Sequence, residues 1–167
     1  TIAKSKKEVQ GLLENVYPAF KQAFQKIDRK VEFDIEARWE MEAVAKQISE
    51  ENPEIRRLKE KLTAKGSQVS LQEKIAVGAM IAREAQERKD RYTREIREFF
   101  GPIILEVSPL PPKGEDTVMH SAFLVSRNSS ETFEEKIRLL DKRFNEKLKL
   151  KYAGPLPPYC FTGIQVT

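Results

Sequence analysis

At 167 residues, with 40% hydrophobic and 34% charged side chains, the chain can supply one hydrophobic core beneath much solvated helix surface. Its single cysteine, Cys160, excludes an intramolecular disulfide and a cysteine metal cluster, and fits a reducing cytoplasm. The net charge of +4 is uneven: residues 1–30 and 136–151 are basic and residues 101–135 acidic, which excludes a uniformly basic nucleic-acid surface.

No window approaches the length of a membrane span, and the first residues lack a signal-peptide pattern. The opening Thr1-Ile2-Ala3 has no methionine, as a fragment or a processed product would. Residues 6–28 read as an amphipathic helix, with Val9, Leu12, Leu13, Val16, Phe20, Phe24 and Ile27 in one stripe. Pro18 should kink or divide it. The stripe is the kind that packs on a core.

Val31 to Trp39 alternates, with Val31, Phe33, Ile35, Ala37 and Trp39 opposing Glu32, Asp34, Glu36 and Arg38. This predicts a strand with one wet face, whose carboxylates are solvated. Two helical arms follow. Met41, Val44, Ala45, Ile48, Ile55, Leu58 and Leu62 form the stripe of the first, restarted at Asn52-Pro53. Ser70-Leu71-Gln72-Glu73 is a capping box opening the second, which runs to Gly101-Pro102. Its heptad-like apolar positions and interleaved charges suit an antiparallel coiled-coil hairpin projecting from the body.

Ile103–Val107 is apolar enough for a central strand, and Thr117–Ser126 is a third strand after a proline-rich turn. Ser129 or Ser130 caps a helix carrying Phe133, Ile137, Leu140 and Phe144. The last strand starts near Lys147, with Leu148, Leu150 and Tyr152 opposing Lys147, Lys149 and Lys151. Gly154-Pro155 should end it. The stiff segment that follows carries Tyr159 and Phe161, which belong against the body or a partner.

The predicted class is α+β: a ferredoxin-like βαββαβ sandwich whose first helix is expanded into a long antiparallel helical hairpin, plus an N-terminal amphipathic helix. Right-handed crossovers place the 31–39 and 103–108 strands at the sheet centre, leaving the second face for the 6–28 helix to cover. Residues 1–39 then end an N-terminal region, 40–100 form the hairpin, and 101–167 form a ββαβ portion sharing its sheet with 31–39.

Little in the chain points to catalysis. His120 is the sole histidine and has no acid nearby in sequence, and nothing beside Cys160 would lower its pKa. Lys65-Gly66-Ser67 lacks the first glycine and the strand of a phosphate loop, and no metal-ligand spacing occurs. Catalytic, cofactor and metal residues are therefore expected to be none. Two binding readings remain beside a protein-binding one. An RNA-binding ferredoxin-like module would use Lys147, Lys149 and Lys151, and a regulatory module would take a small ligand.

Tyr152-Ala153-Gly154-Pro155-Leu156-Pro157-Pro158-Tyr159-Cys160-Phe161 resembles the G-P-x-P-P-Y-x-F ending of the gas vesicle F/L family (GvpF/GvpL). Lys30-Val31-Glu32-Phe33-Asp34-Ile35 is similar to that family's mid-chain K-x-E-[WF]-x-[VI] strand, and the element order agrees. In this alignment Thr1 follows the family's phenylalanine-glycine pair, so an upstream portion would be absent. Cys160 stands where the family usually has a polar or small residue. The resemblance implies a non-catalytic accessory protein of gas vesicle assembly, cytoplasmic and vesicle-associated, that uses neither nucleic acid nor membrane. It would bind the hydrophobic shell protein GvpA and other accessory proteins. The motif residues Gly154, Pro155, Pro157, Pro158, Tyr159 and Phe161 would serve as structural or partner-binding groups.

Overall fold

Ser5 caps the first helix, α1 (Lys6–Ile27), its hydroxyl accepting the Glu8 N–H at 3.2 Å. The computed structural model describes residues 5–144 and 147–163. Pro18 does not divide α1. The carbonyl that a proline there leaves unpaired belongs to Glu14, on an exposed stretch where water replaces the lost bond. No residue of α1 is buried, and Val9, Leu12, Leu13, Tyr17, Phe20 and Phe24 are exposed. The stripe therefore does not cover the second face of the sheet as expected. Contact with the body comes at the end of the helix, where Ile27 packs beside the second-face cluster.

Strand β1 (Lys30–Arg38) alternates as predicted, and Val31, Phe33, Ile35, Ala37 and the following Trp39 enter the core. Helices α2 (Met41–Glu51), α3 (Pro53–Lys65) and α4 (Leu71–Phe100) follow. Asn52 restarts the chain between α2 and α3, its Oδ1 accepting the Glu54 and Ile55 N–H groups. At Ser70 the capping box closes both ways, Ser70 Oγ accepting the Glu73 N–H and Glu73 Oε2 the Ser70 N–H. The three helices pack on one another and send Ile48, Ile55, Val77, Ala85 and Ile96 into the same core.

The remaining elements are β2 (Ile104–Pro109), β3 (Thr117–Ser126), α5 (Ser130–Phe144) and β4 (Lys149–Leu156). The four strands form one antiparallel sheet in the order β2-β3-β1-β4. Thus β3, not the 103–108 strand, is the central partner of β1, with Phe33 opposite Phe123 and Ile35 opposite Ser121. The reason lies in which strand is apolar on both faces. Phe123 and Val125 of β3 join the main core, while Ala122 and Leu124 are buried on the opposite side. β2 exposes Leu105 and ends in Pro109, both suited to an edge.

Helices α4 and α5 cover the Phe33 face. Phe133 of α5 sits at the hub, its ring centroid 4.4 Å from Phe100, 4.8 Å from Phe33 and 6.0 Å from Phe123. Each such ring pair adds about 1 kcal/mol beyond area burial. All four residues of the predicted α5 stripe are buried.

β4 does not stop at Gly154-Pro155. It continues to Leu156 through a cis Gly154–Pro155 bond and a register shift opposite Glu32–Asp34. β4 is an edge strand and the ladder is already irregular there, so the missing proline donor is tolerated.

Candidate functional site

After β4 the chain turns at Pro157-Pro158 and closes a single 3-10 turn at Tyr159–Phe161. Two anchors bring this turn back over the second face of the sheet. The Cys160 N–H donates to Glu32 Oε2 at 2.8 Å. The Phe161 ring is buried with Ala122 and Leu124, flanked by Ile27 and Leu110. Lys26 lies 5.9 Å above that ring and pairs with Glu106 at 2.8 Å, tying the foot of α1 to the same place.

The six motif residues divide. Gly154, at φ +151°, lies flat on Phe33: a β-carbon there would meet Phe33 Cδ1 at 2.4 Å. Pro158 and Phe161 are buried, whereas Pro155, Pro157 and Tyr159 face outward. Lys147, Lys149 and Lys151 are exposed along the β4 edge.

The carboxylate face of β1 is not the wet face expected. Glu32 and Glu36 are 2% and 5% exposed. The returning C-terminal turn covers the first, and the loop between β2 and β3 reaches the second. Glu36 accepts from Arg38 Nε at 2.5 Å and Lys113 Nζ at 3.3 Å. Burial would raise its pKa, but these two partners outweigh burial and hold it below the ordinary 4.5.

Glu32, Asp34 and Cys160 converge so that one ligand atom from each lies within 4.8 Å of the others. Asp34 Oδ1 is buried without a hydrogen-bond partner among the described residues. Burial, then the hydrogen bond to Glu32, then the Glu32 and Asp34 charges push the Cys160 thiol up to about 11. These side chains are the metal-ligand candidates among the described residues, and at neutral pH their sulfur donor keeps its proton. Sequence spacing could pair Glu32 with Asp34 but not join Cys160 to them, since the meeting depends on the return of the C-terminus. His120 is half-buried, with Nδ1 2.7 Å from the Pro111 carbonyl, a structural setting.

The outward part of the motif continues into α1. A cleft of about 880 Å³ has Phe24, Ile27, Val31 and Pro155–Pro158 on its apolar side and Asp28, Arg29, Lys30 and Arg127 on its charged side. A hollow of about 310 Å³ joins Phe20, Phe24 and Ile27 to Pro157, Pro158 and Tyr159. From Leu13 and Tyr17 through Phe20 and Phe24, the exposed part of the α1 stripe thus runs into the motif as one largely apolar trough. No helix among the described residues is long and apolar enough to cross a membrane.

Residues 1–163 match the family described as "Gas vesicle synthesis protein GvpL/GvpF". The chain belongs to the GvpL/GvpF family. Gas vesicle protein F of Streptomyces sp. (strain CB03234) is 33% identical over 135 residues, covering 81% of this chain and 56% of the relative. Gas vesicle protein F of Dolichospermum flosaquae is 25% identical over 143 residues, covering 86% and 58%. The crystal structure of GvpF from Anabaena sp. PCC7120 superposes with a TM-score of 0.84 at 23% identity, over 94% of this chain and 64% of that one. GvpF from Microcystis aeruginosa gives 0.79 at 21% identity, over 98% and 67%. These two share the fold, a mixed helical structure around a four-stranded antiparallel sheet. The chain spans well under two thirds of the length of the two gas vesicle proteins F named above. The structure places Cys160 of this GvpL/GvpF chain beside the carboxylates of Glu32 and Asp34.

Proposed function

We propose that this GvpL/GvpF chain acts in gas vesicle assembly as a non-catalytic accessory protein that binds the hydrophobic shell protein GvpA. The observation that carries this reading is the apolar trough. Val9, Leu12, Leu13, Tyr17, Phe20 and Phe24 are exposed on one helix and continue into Pro157 and Tyr159. A contiguous apolar surface of this size on a folded body marks a partner site. A shell subunit that is apolar before it joins the growing vesicle needs its edges covered against aggregation, and a trough of this kind offers such a cover. The chain would act in the cytoplasm and at the vesicle, beside other accessory proteins.

The body supports a ferredoxin-like description, since the strand order β2-β3-β1-β4 and the placement of both helical crossovers match that arrangement. Helices α2 to α4 then replace the first crossover helix, with α3 and α4 as the arms of the hairpin. In this description residues 1–39, 40–100 and 101–167 are three segments of one body. Phe33, Trp39 and Phe123 of the central region are buried, so the aromatic platform of an RNA-binding sheet is not available.

The test is co-expression of the chain with GvpA, followed by capture of the tagged chain. GvpA should be retained, and Leu13→Asp with Phe24→Asp should abolish retention while thermal stability is unchanged. Deletion of the gene should remove buoyant vesicles. Normal vesicles in the deletion strain, with no GvpA captured, would overturn the reading.

A further inference from the structure

A second cavity, of about 280 Å³, lies away from the trough where the end of β1, helix α2 and the middle of α4 meet. Three cations line it: Arg88, Arg91 and Lys147. Trp39 and Tyr92 supply aromatic walls, and Gln47 an amide. Two carboxylates, Glu40 and Glu51, share the lining, so the lining carries a surplus of one positive charge, with Glu84 3.7 Å from Arg88.

Arg88 is the central group. It is 8% exposed, yet a guanidinium has several donors to satisfy. Its Nη2–H donates to Glu51 Oε2 at 2.6 Å. Its Nε is buried with no acceptor among the described residues, and Glu84 at 3.7 Å is beyond hydrogen-bond length. A buried cation with unused donors is an expensive arrangement unless something further satisfies it. Of its two ion-pair partners, Glu84 stands at 3.7 Å, and the hydrogen-bonded one, Glu51, keeps 63% of its side chain in solvent. Arg91 and Lys147 make no ion pair among the described residues. The Tyr92 ring is fixed edge-on by Phe144 at 5.7 Å, so this wall is preformed.

We propose that this cavity binds a single carboxylate, displacing Glu51 from Arg88. A planar carboxylate fits the guanidinium fork, and Arg91 and Lys147 add charge at the rim. The surplus of one positive charge matches a monoanion; the two rim glutamates would repel a phosphate dianion. The volume lies just below the range for drug-sized ligand sites and accommodates one acidic side chain or one short-chain acid. The site is independent of the trough and of any shell-protein binding there.

The experiment is calorimetric titration of the chain at low salt with four probes. They are an acetylated, amidated Gly-Glu-Gly peptide, its Gly-Gln-Gly counterpart, butyrate and inorganic phosphate. The Glu peptide should bind saturably, with the Gln peptide at least about tenfold weaker, the size of one charge-assisted hydrogen bond. Binding of the Glu peptide alone identifies a polypeptide as the source, and equal binding of butyrate identifies a free acid. Arg91→Gln and Lys147→Gln, at exposed positions that leave the core intact, should each weaken binding several-fold. Glu51→Gln should strengthen it, because it releases Arg88, an outcome that a purely structural Arg88–Glu51 bridge does not produce. No binding, equal binding of the Gln peptide, or tighter binding of phosphate overturns the proposal.

Discussion

Gly154 rests against the face of Phe33: a β-carbon at the glycine would stand 2.4 Å from Cδ1 and 2.9 Å from both Cε1 and Cγ of that ring. Phe33 cannot yield, because it is fully buried and packed, tilted, at 4.8 Å from Phe133. The backbone at Gly154 also has φ +151°, a region that L side chains rarely adopt. Gly154 thereby lets the edge strand β4 pass tightly over the central aromatic of β1.

Gly154→Ala should lower stability by about 2–4 kcal/mol, combining overpacking with backbone strain. Chemical denaturation checks the value. Phe161→Ala, which empties the second-face cluster, should lose about 3 kcal/mol by a different route. Stability unchanged in Gly154→Ala would mean that the strand can lift away from Phe33.

Much of this fold was legible along the chain because local rules agreed with the global one. The capping box at Ser70, the restart at Asn52 and the α5 stripe ending at Phe144 each follow from short-range chemistry, and all three are present. What periodicity could not rank was competition between apolar strands. Ile103–Val107 looks as central as Thr117–Ser126 until both faces of the latter are seen to be covered. Nor could it say that Glu32 and Glu36 are buried. Alternation assigns them to the second face, but whether that face is wet depends on Phe161 and the 110–116 loop, far away in sequence. The α1 stripe shows the converse limit: amphipathicity reports that a face wants a partner, not that the partner is in the same chain.

Cys160 should be a slow nucleophile. With its pKa near 11 against an ordinary 9.0, little thiolate exists at pH 8. Alkylation by iodoacetamide should be far slower in the folded protein than in the denatured one. Glu32→Gln removes a charge from beside the sulfur and should raise the folded rate at pH 8. The sign for stability follows. The folded state holds this proton more tightly, so the contribution is intact below pH 9.0 and is lost as pH rises toward about 11. Cys160 is itself exposed, so a folded rate equal to the denatured one would show that Glu32 and Asp34 do not hold its proton.

Glu36 titrates with the opposite sign. Its folded pKa lies below 4.5, so its ionised form stabilises the fold above that value, and the contribution is lost as pH falls through the lower folded value. Glu36→Gln keeps the shape but removes the charge facing Arg38 and Lys113, and should flatten the stability profile below pH 4.5. At neutral pH the variant should be less stable by about 1–3 kcal/mol, the range for a buried charged group that loses its partner. Thermal unfolding between pH 3 and 7 measures both effects.

The two apolar surfaces should respond oppositely to mutation. Phe133 is fully buried against Phe33, Phe100 and Phe123, so Phe133→Ala opens a cavity at the hub and should cost about 3–5 kcal/mol. Leu13 and Phe24 on α1 are 55% and 66% exposed, so Leu13→Asp and Phe24→Asp remove no core contact. Those variants should unfold within about 0.5 kcal/mol of the parent, the range for surface changes away from special features. They should also be more soluble, because the trough loses its apolar continuity. Parallel melting curves and light scattering separate the cases. A large loss of stability in the α1 variants would show that the stripe already has a partner within the chain, and the trough would then not be available for binding.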